Sequence, residues 1–288
     1  MFDLLANATV SGLLLGGFYA AVTVGLSIAF GYLDIVNIAH PGFMMLGAFA
    51  AWFAADAWQL DPILAGVLFA PVFFIVGAAL YRVYHVSFER RGDVGLRGLA
   101  FFFGVLFLAE VVLLLLFGAD YRSVNLPYLE TMITAGPVSA PLRMVLPFLV
   151  SLLLFAALQW TFDHTFFGRA IKAVSQDPVA LRLMAADPVR VKEIAFGIAI
   201  ASASIAGALL ITIAPVDPSM GRDYIGRVFA IVVLGGLGSL TGTLLAALAL
   251  GIAESLTATL YGPSWSPAVA FGALLIALVV RPTGLLGR

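Results

Sequence analysis

Long apolar runs, separated by short polar connections, make up most of the chain. The runs lie at residues 9–33, 41–59, 62–84, 97–118, 141–163, 192–214, 225–260 and 265–281. A helix needs about 20 mostly apolar residues to cross a bilayer, and most of the runs reach that length. None alternates between apolar and polar positions as a barrel strand does. The pattern predicts an all-α polytopic membrane protein of about eight hydrophobic segments, with residues 1–288 as one transmembrane domain.

The seventh run differs from the others in its length and its glycines. It spans about 36 residues, which is too many for one ordinary crossing. Gly235, Gly236, Gly238 and Gly242 fall within it. Small residues at such a point allow close helix packing or a bend that re-enters the membrane. We therefore expect two shorter helices that meet at a glycine-rich break.

Composition agrees with a membrane protein and narrows the possible functions. Hydrophobic residues make up 62% of the chain and charged residues 11%, whereas a typical soluble domain has about 25% charged residues. The net charge is −1, so the chain has no basic field for nucleic acid. Cysteine is absent and the three histidines lie far apart in sequence. We therefore expect neither a disulfide nor a bound metal.

The positions of the basic residues predict an orientation. No Lys or Arg precedes residue 82. Eleven of the 15 fall in three regions, namely Arg82, Arg90, Arg91, Arg97, Arg169, Lys172, Arg182, Arg190, Lys192, Arg281 and Arg288. Because cytoplasmic connections carry the excess of Lys and Arg, we expect these regions in the cytoplasm, the N-terminus outside and the C-terminus inside. The remaining four are Arg122, Arg143, Arg222 and Arg227.

A polar segment, Gly31–Gly42, joins the first two runs. Asp34, Asn37 and His40 are spaced by three residues, so on a helix they would share one face. Pro41 cannot continue a helix but suits the first turn of a new one. The segment is either a polar bend that faces a translocation path or a polar turn at the membrane surface. Paired interrupted segments favour the path, whose candidate residues at the two breaks are Asn37, His40, Gly236 and Ser239.

Two carboxylates lie inside apolar runs, Glu110 in the fourth and Glu254 in the seventh. An acid within the membrane is costly and by default a functional candidate, so Glu254 joins the candidates for the path. A structural role is the alternative, because both acids lie within about two turns of a predicted helix end. For Glu254, the hydroxyl groups near enough in sequence to be partners are those of Ser255, Thr257 and Thr259.

Residues 164–192 form a long polar connection between the fifth and sixth runs. Asp177-Pro178 and Asp187-Pro188 each place a capping residue before a proline that suits a first helical turn. We expect two short helices divided at Asp177 and a membrane helix that starts after Asp187. An exposed short helix with an apolar face usually docks onto a partner, although a loop that folds back on its own bundle is the alternative. The apolar positions of the second short helix are Leu181, Leu183 and Met184.

Several motifs carry a resemblance to a known family. In the loop they are Gly168-Arg169-Ala170, Ala173, Ser175-Gln176-Asp177, Ala180 and Leu183-Met184. Elsewhere they are Gly25–Gly31, Leu33–His40, Phe43–Ala48, Val233–Gly242, Ala253–Ser255 and Arg281–Gly287. Together they resemble the permeases of ABC importers for branched-chain amino acids, from about residue 10 onward, and the chain is similar to the shorter, H-type permease. It departs from the family pattern at Pro41, usually Gly, and at Ala185-Ala186, usually Gly followed by Ile or Asn.

The resemblance implies a fold, a function and partners. The fold is that of a type II ABC-importer permease in a bacterial-type inner membrane, and the chain moves branched-chain or related amino acids inward without being an enzyme. The implied partners are a second permease subunit, two ATP-binding subunits, an extracytoplasmic solute-binding protein and membrane lipid. This chain binds no cofactor, since ATP and Mg²⁺ belong to the ATP-binding subunits. Residues 164–192 are the implied cytoplasmic coupling loop, with coupling residues Gly168, Arg169, Ala173, Asp177, Ala180, Leu181, Leu183 and Met184.

Other functions stay open at this point. Similar permeases carry urea, amides or small carboxylates. An ion-coupled secondary transporter would need intramembrane acids that bind Na⁺ or H⁺, for which Glu110 and Glu254 are the candidates. The chain has no P-loop and no paired residues with the spacing of an intramembrane protease, so an enzyme is not expected.

Overall fold

The computed structural model describes residues 1–92, 95–136, 138–280 and 284–286. Within these residues, the chain forms helices where the apolar runs predict them. The helices are α1 (Phe2–Gly31), α2 (His40–Trp58), α3 (Pro62–Ser87), α4 (Leu96–Phe117), α5 (Leu142–His164), α6 (Phe166–Gln176), α7 (Pro178–Leu183), α8 (Pro188–Ile213), α9 (Gly221–Gly235), α10 (Leu240–Tyr261) and α11 (Ser266–Val280). The seventh run is divided into α9 and α10. The prediction of an all-α membrane fold with an interrupted seventh segment is confirmed.

The helices differ in whether they can cross a membrane. In the part of the chain that the structure describes, six are long and apolar enough, namely α1, α3, α4, α5, α8 and α10. Helices α9 and α11 have 15 residues each, or about 22 Å, which is shorter than the ~30 Å hydrocarbon core. Helix α1 begins at Phe2, ahead of the predicted run, and its 30 residues extend about 45 Å. It therefore reaches beyond the hydrocarbon or lies tilted within it.

Helices α1 and α8 lie at the centre of the bundle. In α1, 83% of the apolar segment is buried, and in α8 78%, against 17% to 28% in α3, α4 and α5. Small residues allow this packing. A Cβ on Gly251 of α10 would lie 2.4 Å from the backbone nitrogen of Gly16 in α1, and one on Gly207 of α8 would lie 1.9 Å from the carbonyl oxygen of Met44 in α2. Close approach of backbones is what holds helices together in lipid.

The outer helices α3, α4 and α5 expose apolar side chains. Ile75, Leu115 and Leu153 are each exposed by about two thirds or more. Surface of this kind faces lipid in a membrane protein, where exposing it carries no hydrophobic penalty. The outer shell accounts for a hydrophobic content that a water-soluble chain of this length cannot accommodate.

The connections lie at two ends of the bundle. One end carries residues 164–192, and we call it the coupling end after the role that the resemblance implies for this loop. At this end, α1, α3 and α5 finish and α4 and α8 begin. At the opposite hairpin end, strands β1 (Met132–Ala135) and β2 (Val138–Pro141) form an antiparallel hairpin between α4 and α5. The backbone N–H of Ser139 donates to Oδ1 of Asn7 over 2.9 Å, which joins the hairpin to α1. The apolar runs gave no indication of this hairpin.

A second contact at the hairpin end joins α3 to the connection before the hairpin. The hydroxyl of Tyr128 donates to the Asp61 carboxylate, whose other oxygen caps α3 by accepting from the N–H of Ile63 over 2.9 Å. Burial, and next this carboxylate, raise the pKa of the Tyr128 hydroxyl above its ordinary value. Tyr128 therefore stays a neutral donor at any physiological pH.

Candidate functional site

The first break is the segment Gly31–Gly42, which joins the end of α1 to the start of α2. Residues 32–39 are not helical, so the spacing of Asp34, Asn37 and His40 does not put them on one helix face. Asp34 is exposed and has φ 58°, whereas Asn37 and His40 are buried. The prediction of a shared face applied to a helix, and these residues do not form one. Pro41 occupies the first turn of α2, as predicted.

Asn37 and His40 of the first break are buried. Nε2 of His40 lies 2.9 Å from the carbonyl oxygen of Val22 in α1. A Cβ on Gly25 would lie 2.6 Å from Cε1 of His40 and 2.3 Å from Oγ of Ser202 in α8, so only glycine allows this approach. Neither Oδ1 nor Nδ2 of Asn37 has a hydrogen-bond partner among the described residues. In this conformation both residues contact protein, and their place on a translocation path stays a prediction.

The second break, Gly236–Ser239, separates α9 from α10. Gly236 and Gly238 have φ 95° and 78°, a backbone conformation that L side chains rarely adopt. Ser239 caps α10, because its Oγ accepts from the N–H of Gly242 over 3.1 Å. A Cβ on Gly31 would lie 2.5 Å from the backbone nitrogen of Gly238. The structure thus brings together two breaks that are about 200 residues apart in sequence.

The C-terminal segment closes the second break. The N–H of Leu285 donates to the carbonyl of Leu234 over 2.8 Å, and that of Leu286 to the carbonyl of Gly235 over 3.2 Å. These bonds satisfy carbonyl groups at the end of α9 that would otherwise lack partners. The sequence motif Arg281–Gly287 does not predict this contact. Arg281 and Arg288, which entered the orientation argument, lie outside the described residues.

A polar cavity of about 500 Å³ lies at the coupling end, between the two breaks, the end of α5 and α6. The carboxylate of Asp163 accepts from Nζ of Lys172 over 2.6 Å and from Nε2 of Gln159 over 2.5 Å. Of the five candidate path residues, only Ser239 is among the residues described as lining this cavity. Gly236 is buried at the start of the second break and directly precedes Leu237, which lines the cavity.

Both intramembrane carboxylates form ion pairs with arginines of α9. Oε1 of Glu254 lies 3.1 Å from Nε of Arg227, and its Oε2 accepts from the hydroxyl of Tyr19 over 2.6 Å. Oε1 of Glu110 lies 2.7 Å from Nη2 of Arg222. Each pair joins α9 to another helix, α10 or α4.

The partners of Glu254 differ from the neighbouring hydroxyl groups that the sequence suggested. The hydroxyl of Ser255 bonds the carbonyl of Ala8, and that of Thr259 bonds the carbonyl of Ser255, so neither reaches the carboxylate. A buried carboxylate needs a charged partner more than a hydroxyl. The signal that could have found the pairs is the presence of Arg222 and Arg227 outside the regions rich in basic residues. A direct transport role for Glu254 stays a prediction.

The coupling loop has the helices that the Asp-Pro pairs predict. Oδ1 of Asp177 accepts from the N–H groups of Val179 and Ala180 over 2.8 and 3.0 Å, which caps α7. Oδ1 of Asp187 accepts from the N–H of Val189 over 3.0 Å and caps α8. Helix α7 ends at Leu183, and Ala185 follows with φ 60°. The family that the chain resembles usually has glycine at this position.

The loop has one anchored side and one free side. A Cβ on Gly168 would lie 2.4 Å from the carbonyl oxygen of Thr161, so α6 packs closely on the end of α5. Leu181 is buried as well, and Ala173 is partly buried. Leu183 and Met184, in contrast, are 85% and 73% exposed. The remaining implied coupling residues, all exposed, are Arg169, Asp177 and Ala180.

A cluster that the sequence did not reveal fixes the start of α8. Glu89, after α3, accepts from Nζ of Lys192 over 2.6 Å and from the hydroxyl of Tyr81 over 2.8 Å. Nδ1 of His85 lies 2.7 Å from the same carboxylate. The helix that follows the coupling loop is therefore tied to α3 at the membrane boundary.

Comparison with known proteins agrees with this geometry. The family model described as the permease component of branched-chain amino acid transport systems matches residues 8–279. The chain belongs to this family. It is 29% identical to the permease protein BraD of the high-affinity branched-chain amino acid transport system of Pseudomonas aeruginosa, over 97% of this chain and 94% of BraD.

Two further relatives come from Escherichia coli K12. The chain is 28% identical to the permease protein LivH, over 96% of this chain and 94% of LivH. It is 26% identical to the permease protein LivM, over 98% of this chain and 71% of LivM. No solved structure matches the chain. The chain is thus a multi-pass membrane protein of the permease type, similar over nearly its whole length to two different permeases of one named system.

Proposed function

We propose that this chain is the permease subunit of an ABC importer in the inner membrane that moves branched-chain amino acids inward. Its family membership supports the solute class. The observation that carries the mechanism is the free tip of α7, where Leu183 and Met184 are exposed on a loop whose other side is anchored. A rigidly held apolar tip in water is the kind of surface that a partner covers.

In this proposal, the loop transmits motion from ATP-binding subunits to the membrane helices. The tip docks in a groove on such a subunit. Gly168 holds the loop against α5 and the chain continues directly into α8, so displacement of the tip moves those helices with it. The docking residues are Arg169, Ala173, Asp177, Ala180, Leu183 and Met184. ATP and Mg²⁺ bind to the partner subunits, and this chain performs no hydrolysis.

The complex also requires a second permease subunit and an extracytoplasmic solute-binding protein. Similarity to both LivH and LivM supports a pair of permeases of this family. The solute-binding protein selects the solute and delivers it at the hairpin end. Permeases of the same family for urea, amides or small carboxylates would use the same architecture.

We infer an orientation with the coupling end in the cytoplasm and the N-terminus outside. Nine basic residues belong to the turns and helix ends that meet at the coupling end, where Glu89 and Lys192 pair. Arg222 and Arg227, which the rule of cytoplasmic positive charge does not accommodate, are each engaged by an acid. The basic excess therefore points the coupling end inward.

The ion pairs weigh against an ion-coupled secondary transporter. Such a transporter would need a carboxylate free to bind Na⁺ or H⁺. Glu110 has an arginine at 2.7 Å and Glu254 has one at 3.1 Å. Each arginine occupies the position that a cation would take. Nothing in the described part of the chain favours that function over the importer.

The test is uptake of labelled leucine by the complex reconstituted with its binding protein and ATP-binding subunits. Leu183→Asp and Met184→Asp should each lower uptake about 30-fold, because truncating a central contact of an interface costs about 2 kcal/mol or more. ATP hydrolysis should lose its response to the loaded binding protein. Leu96→Asp is the matched control, since Leu96 is 82% exposed at the start of α4, at the same end of the bundle. Normal uptake in both loop variants would refute the proposed coupling.

A further inference from the structure

Three polar atoms in the first break are buried without a hydrogen-bond partner. They are Oδ1 and Nδ2 of Asn37 and Nδ1 of His40, and none has a partner within the described ranges. Both residues are 0% exposed. An unpaired polar group away from water costs free energy comparable to a lost hydrogen bond or more. Three such atoms within four residues therefore need an explanation.

The two side chains have complementary chemistry. Nε2 of His40 faces the carbonyl of Val22, which can only accept, so Nε2 carries the hydrogen. Nδ1 is then a bare acceptor, and the amide of Asn37 offers two donors. The backbone N–H of His40 donates to the carbonyl of Asn37 over 3.3 Å, which keeps the two residues adjacent. A donor and an acceptor that suit one another thus lie three residues apart and do not meet.

Water does not resolve the mismatch in this conformation. None of the three atoms is accessible to a water molecule as the side chains are packed. Close packing around His40 is evident at Gly25, where a Cβ would lie 2.6 Å from the imidazole. Nearby, Asp34 lies in the left-handed region with φ 58°, and α2 has no side-chain cap at its start. The segment is therefore poorly satisfied in the conformation observed.

We propose that Asn37 is a positioning residue of the transport cycle, whose amide donates to Nδ1 of His40 when residues 32–39 shift in the other state. The inference rests on the proposed import function, because it requires two states. In the observed state, the amide of Asn37 and Nδ1 of His40 are unpaired among the described residues. In the other state, the new hydrogen bond stabilises the shifted segment, and the start of α2 moves relative to α1. Tyr32, which belongs to this segment, lines the cavity at the coupling end, so the motion reaches that cavity.

The test is Asn37→Leu, which keeps the size of the side chain and removes the amide. The thermal midpoint of the full chain in detergent should rise by about 2 °C or more, because an unpaired buried group is lost. Uptake by the reconstituted complex should fall about tenfold, the effect of one hydrogen bond. The fall should appear in the maximal rate and not in the concentration for half-maximal uptake.

Thr243→Val is the matched control. Thr243 is also wholly buried, but its hydroxyl is paired with Ser27 and with the carbonyl of Ser239, each at 3.0 Å. The thermal midpoint of the Thr243→Val variant should therefore fall, because the substitution removes these hydrogen bonds. The inference is overturned if Asn37→Leu lowers the midpoint, since the amide would then be bonded in this state, or if it raises the midpoint and leaves uptake unchanged. A wild-type complex that takes up no amino acid would instead overturn the proposed function, and the midpoint would still report on Asn37.

Discussion

The two helix breaks meet at Gly31 and Gly238 but differ in how completely their polar groups are satisfied. The second break has glycine at its positive φ values, a serine cap on the next helix and a C-terminal segment that bonds its last carbonyls. The first break has an aspartate at φ 58°, no side-chain cap on α2 and a buried amide without a described partner. The polar side chain of the second break is thus bonded, whereas the buried amide of the first break is not.

This difference indicates which part of the site is fixed and which part moves. A bend whose polar groups are all paired loses several interactions when it changes shape, so it behaves as a rigid element. A bend that lacks pairs has interactions to gain in another conformation. We therefore regard the helix pair α9 and α10 as the fixed wall of the cavity and residues 32–39 as the mobile wall. The predictions below test this assignment, beginning with the largest expected effect.

The ion pair between Glu254 and Arg227 joins α10 to α9 in the helix pair that we regard as fixed. Glu254→Ala should lower the free energy of unfolding by about 3 kcal/mol, because it leaves a largely buried arginine without its partner. Chemical denaturation in detergent measures this loss. Glu254→Leu combined with Arg227→Met removes both charges and should restore most of the stability.

The same double variant separates a structural role of Glu254 from a transport role. If the stable double variant takes up leucine normally, the carboxylate serves the fold. If it is stable and inactive, Glu254 belongs on the translocation path as the sequence predicted. A double variant no more stable than Glu254→Ala would show that the ion pair is not what fixes the helix pair.

Gly242 allows α9 and α10 to approach one another at the second break. A Cβ there would lie 2.0 Å from the carbonyl oxygen of Gly235. Gly242→Ala should therefore cost about 3 kcal/mol through overpacking. Thermal denaturation measures the loss, and Gly104→Ala in α4 is the control. Nothing surrounds the Cβ position of Gly104, so alanine there should stabilise the helix by about 1 kcal/mol. Equal effects at the two positions would argue against a closely packed second break.

Ser239 contributes a smaller part of the same rigidity. Its Oγ caps α10, and replacing such a cap with alanine costs about 1 kcal/mol. Ser239→Ala should lower the thermal midpoint, whereas Ser239→Asp should retain the cap and the midpoint. Uptake that falls in both variants would assign Ser239 to the path rather than to the cap alone, since Asp preserves the helix start but adds a charge to the cavity.

Sequence patterns predicted the parts of this protein that depend on local rules. Apolar run length located the membrane helices, and the Asp-Pro pairs located the starts of α7 and α8. The glycines of the seventh run predicted its break. Each of these features is set by residues close together in the chain, through helix capping, proline geometry or glycine conformation.

Contacts between distant residues could not be predicted in the same way. Glu254 meets Arg227 and Tyr19 only because α1, α9 and α10 pack together, so nearby hydroxyl groups were the wrong partners. The hairpin of β1 and β2 and the contact of Leu285 with Leu234 likewise depend on tertiary packing. For Asn37, the spacing does not show that the side chain is buried or that its amide has no hydrogen-bond partner among the described residues.

Asp34 provides the smallest and most direct test of the contrast between the breaks. Its φ of 58° is strained for a residue with a Cβ, although Asp tolerates it better than most. Asp34→Gly should stabilise the chain by about 0.5 kcal/mol, once the greater freedom of glycine in the unfolded state is subtracted. Gly236→Asp makes the opposite change at φ 95° and should cost about 2 kcal/mol. Both are measured by thermal denaturation. If Asp34→Gly destabilised the chain instead, the first break would be as well satisfied as the second, and there would be no reason to assign the motion to it.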